Sequence, residues 1–74
     1  MREIDTGLKD KNGKKIYKGD IIDTPVGILE VVFDKGLGEF RGVVDRSWAM
    51  SFPLRPAKKI RIIGNIYDNP ELQK

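Results

Sequence analysis

Glycine, proline, asparagine and aspartate cut this chain into runs too short for ordinary helices, and that punctuation constrains its fold more than any other feature. The 74 residues include 8 glycines and 4 prolines. Between them, apolar residues almost never recur at the spacing of a helix face. What recurs is period two, the repeat of a strand whose alternate side chains point to opposite sides. Residues 27–33 show it most clearly, with Leu29, Val31 and Phe33 on one face and Ile28, Glu30 and Val32 on the other. It returns in residues 48–54, where Trp48, Met50, Phe52 and Leu54 alternate with Ala49, Ser51 and Pro53. A helix would scatter those four large side chains around its axis, whereas a strand gathers them into one apolar face.

The remaining segments follow from the breaks. Asp10-Lys11-Asn12-Gly13 is a turn, because Asn-Gly tolerates the positive φ that tight turns need. A strand over residues 15–23 bends at Gly19-Asp20 and stops at Thr24-Pro25. A hairpin loop at 34–38 returns the chain through 39–44, with Phe40, Gly42 and Val44 inward and Glu39, Arg41 and Val43 outward. Asp45-Arg46 can turn again. Pro53 makes the next strand an edge, or one that leaves the sheet. The last strand, 59–66, turns Ile60 and Ile62 inward and carries Gly64 as a bulge, and Asp68-Asn69-Pro70-Glu71 reads as the cap of one short helical turn. These segments predict an all-β fold: a small, five-stranded, mainly antiparallel SH3-like barrel with a short C-terminal helical turn. Closure would remove the exposed edges of a flat sheet. The expected core is Leu29, Val31, Phe33, Phe40, Val44, Ile60 and Ile62.

Composition bounds the chemistry. Residues 1–74 are one domain, since a chain this short cannot build a second core. Without cysteine no disulfide staples the domain, so packing or self-association as a homo-oligomer must suffice. The absence of both histidine and cysteine excludes His-based triads, thiol chemistry and the usual zinc sites. Acid–base work would fall to carboxylates such as Asp20 with Asp23 or Asp68 with Glu71, and neither pair has a reason to share a proton. Ser47 and Ser51 lack a neighbouring base, and no phosphate-cradling or calcium loop occurs. The expectation is a non-enzyme with no catalytic residues, cofactor or metal. The start lacks a signal-peptide stretch and no apolar run could span a membrane, so a cytoplasmic protein is expected.

Two stretches carry a resemblance. Residues 6–22, Thr6-Gly7-Leu8-Lys9-Asp10-Lys11-Asn12-Gly13-Lys14-Lys15-Ile16-Tyr17-Lys18-Gly19-Asp20-Ile21-Ile22, resemble a signature of the YopX family of phage and prophage proteins. Residues 63–72, Ile63-Gly64-Asn65-Ile66-Tyr67-Asp68-Asn69-Pro70-Glu71-Leu72, are similar to that family's C-terminal signature. Met1-Arg2-Glu3-Ile4 also looks like the family's start, although typical members carry an additional segment between the positions of Ile4 and Asp5. The resemblance implies a phage-derived protein of the bacterial cytoplasm with an SH3-like barrel. It supplies no activity and no catalytic residues.

Two binding functions remain. The first is a protein-interaction module, docking on a host or phage protein. Its support is the Trp48 stripe together with Ile28, Val32, Val43 and Ile63 on nominally outward faces, more apolar surface than a small barrel can hide. The second is nucleic-acid binding. The formal charge is only +3, but Lys9, Lys11, Lys14, Lys15 and Lys18 form one basic group, and Arg55, Lys58, Lys59 and Arg61 a second. This reading requires the two groups to meet on one face, with Tyr17 or Trp48 stacking on bases. The candidate partner-binding residues are therefore Trp48, Tyr17, Lys14, Lys15, Arg55, Lys58 and Lys59. Protein is the expected target.

Overall fold

A computed structural model describes residues 4–44, 47–54 and 57–68, with backbone alone at 47–49 and 57. Seven strands follow in order: β1 (Asp5–Lys9), β2 (Lys15–Tyr17), β3 (Asp20–Thr24), β4 (Gly27–Asp34), β5 (Glu39–Val44), β6 (Ser47–Pro53) and β7 (Arg61–Asn65). A single 3-10 turn, Ala57–Lys59, lies between the last two. The fold is all-β with antiparallel pairing throughout the described ladders. β1 and β2 form a two-stranded sheet, and the other five strands form a second sheet in the order β6-β5-β4-β3-β7. No helix among the described residues is long and apolar enough to cross a membrane.

Two architectural expectations are corrected. The described residues form seven strands rather than five: β1 precedes the Asn-Gly turn, and the expected strand 15–23 divides at Gly19 into β2 and β3. Gly19 carries φ +91 there, a backbone angle unsuited to continuing a strand. The sheets also do not close into a barrel, because β6 and β7 are the two ends of the larger sheet and no described ladder joins them. The expected helical turn at Asp68-Asn69-Pro70-Glu71 falls largely outside the described residues, as does the Asp45-Arg46 turn.

The core lies on one face of the large sheet, where Ile22, Leu29 and Val31 are buried with Ile16 of β2 and with Leu54 and Ile60 from the β6–β7 crossing. Leu8, Phe40, Val44, Phe52 and Ile62 pack around them. Gly42 is buried within this face because a Cβ there would sit 2.7 Å from Leu29 Cδ1 and 3.0 Å from Leu29 Cβ. Phe33 departs from its expected core role. It lies at the hairpin end of β4, paired with Phe40 across the ladder, and remains 37% exposed.

Val43 departs in the opposite direction: expected outward, it is fully buried with Ile21 on the far face of the sheet. The two lie on β3 and β5, in the cross-strand row that runs through Glu30 of β4. The bulge expected at Gly64 is present, since β3 pairs Ile21 with Gly64 but Ile22 with Ile62, leaving Ile63 as the extra residue.

Candidate apolar groove and basic surface

The crossing from β6 to β7 builds an apolar concavity. Thr24, Pro25 and Val26 come from the β3–β4 turn, Phe52, Pro53 and Leu54 from the end of β6, and Lys59 and Ile60 from the approach to β7. Together with Leu29 they enclose about 320 Å³. Leu29, Leu54 and Ile60 form a buried floor, while Val26, 55% exposed, stands at the rim beside exposed Lys59. Thr24 shapes the turn by donating its hydroxyl to Gly27 O (2.8 Å) and accepting Val26 N–H (3.2 Å). Pro53 and Leu54 also line a smaller hollow of about 240 Å³ with Thr6, Leu8, Glu39 and Phe40. The groove can hold apolar side chains and set an anionic group against Lys59.

The expected apolar stripe on β6 divides. Phe52 packs against the core and Leu54 is buried beyond the strand end, but Met50 is 52% exposed. The β5–β6 register explains the break: Val43 faces Ser51 while Val44 faces Ser47, so three β6 residues crowd into one step and the alternation is lost. Trp48 lies on this irregular stretch, and its side chain falls outside the described part of the molecule. So does Arg55.

The two basic groups are brought together by an aspartate that the sequence marks only as a turn residue. Asp10 Oδ1 accepts the N–H groups of Asn12 (2.9 Å) and Lys14 (2.9 Å), and Oδ2 accepts that of Ile62 (3.1 Å) across to β7. Lys11 N–H also donates to Ile60 O at 2.9 Å. The turn carrying Lys11 and Lys14 is thereby fastened beside the 3-10 turn carrying Lys58 and Lys59, all four of them exposed. Burial pushes the Asp10 carboxyl up, but the N–H groups of Lys14, Ile62 and Asn12 and the Lys14 charge outweigh it and hold the pKa below 3.8.

Lys15, on β2, stands directly opposite Lys9 on β1 and approaches Asp5 at 3.9 Å. Arg61 is engaged by Asp23 at 3.3 Å. Tyr17 is half-buried, and its backbone N–H donates to Asp20 Oδ2 at 2.8 Å. Among the described residues, no three His, Cys, Asp or Glu side chains gather as a metal site would require.

The two signature stretches meet each other in the structure. Asp20 on β3 faces Asn65 on β7, Ile66 N–H donates to Gly19 O at 2.9 Å, and the Tyr67 ring lies 3.0 Å from where a Gly19 Cβ would stand. Asp20 is fully buried and Asn65 nearly so. Asn65 Oδ1 accepts the N–H groups of Tyr67 (2.9 Å) and Asp68 (2.8 Å), satisfying donors within its own turn. Tyr67 packs on Gly19 and stays 53% exposed, rather than entering the core.

No curated protein matches this chain. A family model described as YopX protein matches residues 4–74, spanning the junction, the groove and the basic surface alike. A match over nearly the whole length, with its two signature stretches packed against each other around Gly19 and Asp20, places the chain in the YopX family.

Proposed function

We propose that this chain is a small, non-catalytic binding module of phage or prophage origin, acting in the cytoplasm of the bacterial host, whose target is a protein. The observation that carries the reading is the groove between Val26, Phe52 and Ile60: an open apolar trough with a lysine at its rim. Its volume lies at the low end of the roughly 300–1,000 Å³ typical of ligand pockets. An open trough of that size suits two or three side chains of an extended segment. Lys59 at the rim, with Lys58 beside it, fits a segment whose apolar residues are flanked by Asp or Glu. Exposed apolar side chains ringed by polar groups mark such sites, and aromatic or aliphatic anchors supply most of their binding energy.

A displayed peptide library selected on the folded protein tests this directly. Selected peptides should pair apolar residues with a neighbouring acid, bind at micromolar concentration, and lose binding to Val26→Asp. Peptides that bind wild type and Val26→Asp equally would place the contact elsewhere. Light scattering reads the other occupant, a second copy of the chain, as a concentration-dependent rise in mass that the same substitution removes.

The meeting of the Lys11–Lys14 turn with Lys58 and Lys59 favours a second reading, a phosphate-binding surface. It predicts affinity for nucleic acid that falls steeply with salt and is lost when Lys14, Lys15, Lys58 and Lys59 become Glu.

A further inference from the structure

The hairpin end of the sheet holds a different combination, one that neither the groove nor the lysine turn contains. Phe33 and Phe40 face each other across β4 and β5, their ring centroids 4.9 Å apart and their planes inclined at 67°. Phe33 is the exposed partner. With Ile4, Lys18 and Lys35 the two rings line a hollow of about 360 Å³, sharing no residue with the Val26 groove. Lys18 and Lys35 are both exposed, and neither forms an ion pair among the described residues. The acids nearest Lys35 and the two rings in sequence have other partners. Asp34 Oδ1 accepts the N–H groups of Gly36 (2.8 Å) and Leu37 (3.1 Å), and Glu39 holds Arg41 at 2.6 Å.

We infer that this hollow is a binding site for single-stranded nucleic acid, in which an unpaired base stacks on Phe33 and Lys18 and Lys35 take the flanking phosphates. Charge and ring chemistry carry the argument. Phe33 is 37% exposed and shares its hollow with two lysines that form no ion pair among the described residues. An exposed aromatic on a strand, flanked by cations, offers a π-face that every base can use, together with charges at the reach of its backbone. Phe40, its ring plane inclined at 67° to that of Phe33, packs against it. Duplex DNA hides its base faces and cannot make this contact, so single strands should be preferred. The inference goes beyond the protein-binding reading and stands or falls separately from it.

Fluorescence anisotropy of labelled ten-nucleotide single strands and the matching duplex tests it, at low and at physiological salt. Wild type should bind the single strand more tightly than the duplex. Phe33→Leu, which keeps an apolar side chain but removes the ring, should weaken single-strand binding about tenfold or more. Lys18→Ala with Lys35→Ala should lower the slope of log affinity against log salt by about 1.4, two phosphates' worth. Both lysines are exposed, so this second variant reports on the site even if Phe33→Leu destabilises the fold. Lys58→Glu with Lys59→Glu leaves the hollow intact, and binding lost only in that variant would assign it to the lysine turn instead. Equal affinity for duplex, an unchanged slope, or no single-strand binding at low salt by the folded protein would overturn the inference.

Discussion

The signature junction and the middle of the chain use their side chains in opposite ways. At the junction, polar groups are spent inward: Asp20 is fully buried on the Tyr17 N–H, Asn65 closes the turn that follows it, and Tyr67 lies on Gly19. From β4 to β6 the chain does the reverse and leaves Val26, Ile28, Phe33, Leu37 and Met50 in solvent. A buried carboxylate surrounded by its donors specifies one geometry and offers nothing to a partner. Exposed apolar side chains cost solubility and stabilise nothing until covered. The signature residues at this junction are therefore framework, while Val26 and Phe33, the exposed apolar side chains at the centre of the two hollows, come from the segment without a signature.

Removing the Asp20 carboxylate is the sharpest way to break this contrast. Asp20→Ala strands a buried N–H and should lower stability by about 3 kcal/mol, read as an earlier urea midpoint. Gly42→Ala should cost about 2 kcal/mol, since its methyl would enter the space of Leu29 inside a packed core. At Gly19 an alanine meets both a positive φ and the Tyr67 ring, and a loss of about 1–2 kcal/mol is expected, recovered in part by Tyr67→Ala in a double-mutant cycle.

Asp10 sharpens the comparison through pH. Its folded pKa is lowered, so the stability it contributes is complete above the unfolded value near 3.8 and disappears as pH falls through the folded value. The difference in stability between wild type and Asp10→Asn should hold steady at neutral pH and narrow below pH 3.8. The smallest effect belongs to the middle segment: Val26→Asp should shift stability by less than about 0.5 kcal/mol in thermal melts, though it removes a groove contact.

Much of the fold was legible locally. Residues 39–44 form β5 over the expected bounds, 27–33 lies within β4, the 34–38 hairpin stands where two glycines put it, and Gly64 adjoins a bulge. Leu29, Val31 and Ile60 are buried as their alternation implies. The sites were far less legible. Lys14, Lys15, Lys58 and Lys59 could be named, but not the aspartate that draws their two segments together. Phe33 was placed in the core by the same alternation that correctly placed Val31. Its distance along β4 from the packed rows is not written in its neighbours.

What the sequence determined by itself is where the main turns fall, and that no histidine or cysteine is present, because turn residues act on their own backbone and side-chain inventories need no geometry. The tertiary structure alone decided that the sheets stay open, that Val43 goes in and Phe33 out, and that the two lysine groups adjoin. These depend on which segments cover each face and on contacts between segments distant in the chain, and the irregular registers of β6 and β7 are set the same way.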